Sequence, residues 1–110
     1  MDPQRHEHRL PGSAQAVYAI SVAADLAGVG VQTLRLYEQH GLITPERSAG
    51  GTRRYSGDDL ARLHRITTLA AEGVNLAGIG RILELEDANA ALLADIDRLR
   101  TRRRSRSEGA

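Results

Sequence analysis

Cysteine, phenylalanine, tryptophan and lysine are all missing from this 110-residue chain, and the absence of the first three removes whole classes of function. Without cysteine there is no disulfide framework and no thiolate metal site. Without Phe or Trp, and with only 3 Tyr, the chain lacks the aromatic platforms on which single-stranded nucleic acid stacks. Its core must instead come from Leu, Ile, Val, Ala and a few Tyr. No apolar run is long enough to span a bilayer and the start carries no secretory h-region, so a cytoplasmic protein is expected. The length allows one small domain with tails and no separate catalytic domain. His40 and His64 are separated in sequence from any Ser or carboxylate arrangement, and no Gly-rich phosphate loop follows a strand, so neither an enzyme nor a cofactor is expected. His6 and His8 lie in a polar leader without further ligands, which argues against a metal site, since a metal needs three or four convergent donors.

The net charge is only +1, so distribution matters more than the total. All 15 basic residues are arginine. Arginine suits planar, bidentate contacts to guanine or phosphate, although an Arg- and Ala-rich composition also follows from a GC-rich genome.

The informative stretch runs from Gly30 to Tyr55, GVQTLRLYEQHGLITPERSAGGTRRY. Val31 to His40 has no Gly or Pro, and Leu34 and Tyr37 lie one turn apart, leaving Gln32, Thr33 and Arg35 for an outward face. Gly41 stops this helix. Two short extended pieces joined by a Gly-containing turn follow, ending in Thr52-Arg53-Arg54-Tyr55. Upstream, Val17 to Ile20 is a short apolar approach, Ser21 is placed to cap a helix through Ala27, and Gly28 ends it. Helix, tight Gly turn, helix and basic hairpin together read as a winged helix-turn-helix. Gln32 and Thr33 are then placed to read base edges, and Arg35 either to read a base or to anchor the helix to the backbone, while Tyr37, Arg53, Arg54 and Tyr55 are placed to hold phosphates. Tyr37 has a second reading as a core residue, because so short a helix needs an apolar inner face. Glu38 would repel DNA and is expected to pair with an arginine, Arg54 being a candidate.

Ser56 to Asp59 has the S-x-x-D form of a capping box for a helix bearing Leu60, Leu63, Ile66 and Leu69 on one face. Gly73 ends that helix and Asn75 is placed to cap a fourth containing Leu76, Ile79, Ile82 and Leu83. From Glu84 to about Arg103, Leu85, Leu92 and Leu99 recur every seven residues, with Asn89 and Ile96 between them. This is a coiled-coil seam with Leu at d and Asn or Ile at a. The segment is acidic early (Glu84, Glu86, Asp87) and basic late (Arg98, Arg100, Arg102 to Arg104), which favours antiparallel pairing in a homodimer. The alternative is that the helix folds back on its own domain. The expected organisation is a disordered leader (1–16), a winged helix-turn-helix domain (17–84), a dimerisation helix (85–104) and a disordered tail (105–110), a mainly α fold.

TLRLYEQHGLI, the Pro45-Glu46-Arg47 wing entry and GGTRRYSGDDL together resemble the DNA-binding domain of the MerR family of bacterial transcription regulators, over about Ala19 to Leu85. ISVAADLAG, TLRLYE and GVNLAGIGRILELE are most similar to the HspR-like heat-shock repressors of that family. Many members carry two adjacent tyrosines in the recognition helix where this chain has Leu36 and Tyr37, so the contact of the first tyrosine is not carried over. The resemblance implies a dimer that bends double-stranded DNA at a pseudo-palindromic operator. For the HspR-like subgroup it implies repression of chaperone operons, with an Hsp70-type chaperone as co-repressor. The missing cysteines remove the ligands of metal-sensing relatives, and the chain's end soon after the dimer helix leaves no expected effector domain. The competing expectation is an architectural, excisionase-like DNA-bending protein, which needs the winged helix but not the seam.

Overall fold

The computed structural model describes residues 12–109. In order, the elements are β1 (Ala16–Tyr18), α1 (Ile20–Ala27), α2 (Val31–Gln39), β2 (Glu46–Arg47), β3 (Arg53–Ser56), α3 (Gly57–Ala71) and α4 (Leu76–Gly109). The chain divides into two units, one ending at Leu76 and one beginning at Ala77.

In the first unit the helix-turn-helix is set by glycine punctuation. Gly28 takes a left-handed conformation (φ 72°), closing α1 while the Val29 N–H donates to the Ala24 carbonyl at 3.0 Å. Only glycine enters that region without a steric penalty. Ala23 and Ala24 are buried, and their small side chains let α1 and α2 approach closely. Ser21 does not cap α1: the helix begins one residue earlier, with Ala19 at the cap position and no side-chain cap. Gly41 (φ 71°) closes α2, and the Leu42 N–H returns to the Tyr37 carbonyl at 3.0 Å.

The sheet has the order β1-β3-β2, with both pairings antiparallel. Ala16 pairs opposite Ser56 and Tyr18 opposite Tyr55, with an irregularity between them. The Asp58 N–H donates to the Ser13 carbonyl at 2.8 Å, so residues just ahead of β1 belong to this unit. The boundary expected at residue 17 therefore moves upstream, because β3 needs a partner on its free edge. The leader before residue 12, with His6 and His8, lies outside the described residues.

The capping box at α3 is complete. The Asp59 N–H donates to Ser56 Oγ at 3.0 Å and the Ser56 N–H to Asp59 Oδ2 at 2.9 Å. Asp58 and Asp59 also place negative charge at the positive end of the helix. Leu63, Ile66 and Leu69 fill the core together with Leu34, Tyr37, Leu42, Ile43 and Tyr55. Arg62 Nε donates to the Leu42 carbonyl at 2.6 Å, pinning the turn that follows α2.

The second unit is α4, a single helix of 34 residues. The sequence separates a fourth helix, a dimer helix and a disordered tail from residue 105; the structure runs them together. Ser105 to Glu108 are helical because Arg, Ser and Glu are acceptable helix residues and no proline interrupts them. Gly78 and Gly80 sit inside the helix without breaking it. Ile79 and Leu83 are buried. Among the described residues, no helix is long and apolar enough to cross a membrane.

Candidate nucleic-acid interface

Helix α2 divides its side chains by periodicity. Leu34 and Tyr37 are buried. Gln32, Arg35, Leu36 and Gln39 are exposed at the i, i+3, i+4 and i+7 spacing that makes one helical face. With the half-buried Thr33 they line a shallow depression on the outer side of the helix. This face offers amide, hydroxyl and guanidinium groups beside one apolar side chain. Those groups suit the donor and acceptor edges of bases and the thymine methyl in a major groove. On the sequence alone Gln39 is given no role and the contact at Leu36 is set aside, although the same periodicity starting from Gln32 reaches both.

Tyr37 belongs to the core, at 6% exposure, and is not placed as a phosphate donor. Tyr55 is likewise removed from the surface, at 0% exposure, and its hydroxyl has no hydrogen-bond partner among the described residues. The physical reason is common to both. With no Phe or Trp available, tyrosine supplies the large rings that fill the space beneath the helices and sheet. Burial raises the pKa of the Tyr55 hydroxyl, and the neighbouring Glu38 carboxylate adds to the rise, while Arg53 and Arg47 oppose it.

The wing is a short hairpin. Glu46 pairs opposite Arg54 and Arg47 opposite Arg53. Its turn is closed by the Gly51 N–H to the Ser48 carbonyl at 2.8 Å and the Ser48 N–H to the Thr52 carbonyl at 2.8 Å. Gly51 at φ 83° is the residue that the turn requires. Side chains alternate along a strand, so Arg53 and Tyr55 share one face of β3 and Arg54 lies on the other.

Glu38 joins this wing to α2, through Arg47 and Arg53 rather than Arg54. Arg47 Nη2 donates to Oε1 at 3.0 Å and Arg53 Nε to Oε2 at 2.5 Å, with the Glu38 side chain 18% exposed. Arg54 stands on the opposite strand face, which is why it does not reach the carboxylate. The hydrogen bond to Glu38 is the main cause that raises the Arg53 pKa; desolvation works against it. The arrangement leaves more positive than negative charge around the wing, a setting that attracts phosphate.

In α4, Leu85, Leu92, Ile96 and Leu99 are 62%, 61%, 41% and 58% exposed, and Asn89 lies exposed between them. Within its unit this helix has no second helix on which to lay that seam. Among the described residues no group of three or more His, Cys, Asp or Glu could hold a metal ion.

Comparison with known proteins places the chain. Residues 18–86 match the family described as MerR HTH family regulatory protein. A protein described as the heat shock protein HspR, from Streptomyces coelicolor, is 53% identical over 79 residues, covering 71% of this chain and 52% of that one. Among solved structures, the lead(II) complex of the regulator PbrR691 from Ralstonia metallidurans superimposes with a TM-score of 0.61 at 33% identity, covering 81% of this chain and 77% of that one. HiNmlR, a MerR family regulator lacking the sensor domain, was solved bound to promoter DNA. It matches with a TM-score of 0.59 at 28% identity, covering 71% of this chain and 65% of that one. The chain spans about half the length of the curated HspR relative. The matched residues contain both helices of the helix-turn-helix, the wing and the start of α4, and the chain belongs to the MerR family of helix-turn-helix regulators.

Proposed function

We propose that the chain is a sequence-specific transcription regulator that binds a pseudo-palindromic operator in double-stranded DNA as a homodimer and acts in the cytoplasm. The observation that carries this reading is the exposed polar face of α2 fastened to a basic wing through Glu38. Gln32, Thr33 and Arg35 read bases, joined by Leu36 and Gln39. Arg53 and Arg54 hold phosphates from the wing, while Tyr37 and Tyr55 act from within as packing residues. Two such units related by a two-fold axis would meet half-sites on one face of the duplex. Leu85, Asn89, Leu92, Ile96 and Leu99 form the pairing seam. That a related regulator was captured on promoter DNA supports the DNA-binding part of the proposal.

The sign of regulation is repression, of heat-shock or chaperone genes, with an Hsp70-type chaperone as co-repressor. The similarity to the HspR protein supports the choice of genes. The chaperone rests on the subgroup resemblance alone. Selection of genomic fragments by the purified protein, followed by footprinting, tests both levels. Inverted repeats upstream of chaperone genes support the full reading, and adding the chaperone should then tighten the footprint. Repeats at unrelated promoters remove the heat-shock assignment, and binding without sequence preference favours an architectural DNA-bending role.

A further inference from the structure

The hairpin register puts Arg47 and Arg53 directly opposite one another on β2 and β3. Two like charges on facing positions of an antiparallel pair repel, and a hairpin with so few paired residues has little else to resist the repulsion. One carboxylate lies between them and neither strand supplies it. Glu38 comes from α2 and gives one oxygen to each arginine. Arg47 also donates through Nη1 to the Gly51 carbonyl at 3.2 Å, so the same chain of contacts continues into the wing turn.

The way Arg53 is held matters for its other nitrogens. A guanidinium has five N–H donors in a rigid planar fork. Glu38 engages the Nε–H of Arg53, and no partner holds its terminal Nη groups among the described residues. A carboxylate gripping Nε fixes the plane of the fork and leaves the two Nη groups, the pair suited to a phosphate, uncommitted.

We propose that Glu38 is a positioning residue for operator binding: it locks the wing to the recognition helix and presents the Arg53 fork to the DNA backbone. This rests on the DNA-binding function proposed above. The assignment opposes what simple charge predicts. Removing a negative charge beside a DNA-binding surface should strengthen attraction to any duplex. Removing a positioning residue should weaken binding to the operator.

The test is Glu38→Gln in the full chain, with binding to the selected operator and to a scrambled duplex measured by fluorescence anisotropy across a salt series. The expected result is roughly 10-fold weaker operator binding, with scrambled binding unchanged or tighter, so that the ratio between them falls. Operator binding that is unchanged or tighter overturns the proposal. Arg53→Gln supplies the second arm of a double-mutant cycle. In that background Glu38→Gln should cost less than about 2-fold, and an equal cost in both backgrounds overturns action through Arg53.

Nuclear magnetic resonance of the arginine side chains reads the clamp without DNA. A distinct, slowly exchanging Arg53 Nε–H signal is expected in the wild type and its loss in Glu38→Gln. Its absence from the wild type overturns the clamp. If Glu38→Gln does not fold, Arg53→Lys serves in its place, since it keeps the charge but loses the planar fork. Roughly 10-fold weaker operator binding at an unchanged salt slope is expected there, and undiminished affinity overturns the proposal. A wild-type protein with a normal Arg53 signal but no preference among duplexes overturns the sequence-specific regulatory function proposed above, and this assignment with it.

Discussion

Replacing Leu92 by Asp should separate the homodimer into folded monomers. Leu92 is 61% exposed in the single chain, so pairing can remove roughly three-fifths of its surface from water. Full burial of a leucine is worth about 1.5–3 kcal/mol, which makes the loss on deletion about 1–2 kcal/mol per chain. A homodimer counts that loss twice. Aspartate adds the cost of desolvating a carboxylate near its two-fold equivalent, bringing the total to roughly 4–6 kcal/mol, or about three to four decades in dissociation constant. Leu92→Ala loses the apolar contact alone and should weaken the dimer by about two decades. Because the side chain is exposed in the monomer, both variants should retain the helical content of the wild type at high concentration. Sedimentation velocity across a dilution series measures the shift, and anisotropy with operator DNA should show binding weaken in the same order. An intact Leu92→Asp dimer at micromolar concentration would refute the seam, and an Ala variant as damaged as the Asp variant would refute the reasoning about the carboxylate.

Tyr55→Phe should raise stability by about 1 kcal/mol, because it removes a buried hydroxyl that has no partner among the described residues, and should leave operator affinity unchanged. A fall in melting temperature, or a loss of binding, would restore a polar role to that hydroxyl. The same residue carries a pH dependence. Its folded pKa is raised above the ordinary 10.0, so its stabilising contribution is complete below that pH and is lost as pH rises through the folded value. The wild type should therefore weaken on the alkaline side of pH 10, and the Phe variant should lose that part of the decline in chemical denaturation. At the interface, Arg53→Ala and Arg54→Ala should each reduce the salt slope of operator binding by about one unit, whereas Gln32→Ala should change base preference with little effect on slope. Identical salt titrations for the arginine and glutamine variants would undo that division. Finally, the homodimer should loosen as salt rises from about 0.05 to 0.5 M if acidic and basic parts of α4 meet across the seam, as sedimentation in the two salts would show.

Local chemistry made much of this architecture readable. Gly28 and Gly41 end helices where only a left-handed residue fits, Ser56 and Asp59 exchange hydrogen bonds over three residues, and Leu34 and Tyr37 repeat at one turn. Each of those signals depends on neighbours within a few positions. The misplaced donors depended on alternation and on composition. Reading Arg53, Arg54 and Tyr55 as one basic cluster ignored the period of two, which sends Tyr55 inward with one face and Arg54 to the other. The absence of Phe and Trp already implied that tyrosine would be drawn into the core, and that implication outweighs the attraction of a hydroxyl beside arginines. Glu38 could be seen to need a partner, but not which one. Its bonds span 9 and 15 residues and depend on the register of a hairpin that forms only against the rest of the unit. At the end of α4 the run of charge suggests disorder, yet arginine is a good helix former and the helix continues.

The ordering of charge along α4 has two candidate causes, and its length separates them. A helix favours acids near its N-terminus and bases near its C-terminus, which alone would place Glu84, Glu86 and Asp87 before Arg98 to Arg106. That effect fades within the first and last turns. No acidic residue lies in the first turn of α4, and Arg106 is the basic residue in its last turn. Glu84 stands two turns in from Leu76, and Arg98 stands three turns before Gly109. The macrodipole therefore accounts for Arg106 and little else. Local pairing takes up the acidic part: Arg81 meets Glu84 at 3.7 Å and Arg98 meets Asp95, both on the same helix and both exposed, and Glu86 and Asp87 also have partners. Among the described residues, Arg100, Arg102, Arg103 and Arg104 have no counter-charge. The basic end of the helix thus carries more charge than the helix's own pairs and dipole account for. In a parallel pair that excess would set the arginines of one chain beside those of the other, while antiparallel pairing brings them toward acids. In the homodimer proposed here the apolar seam would supply the affinity and the charge gradient the direction.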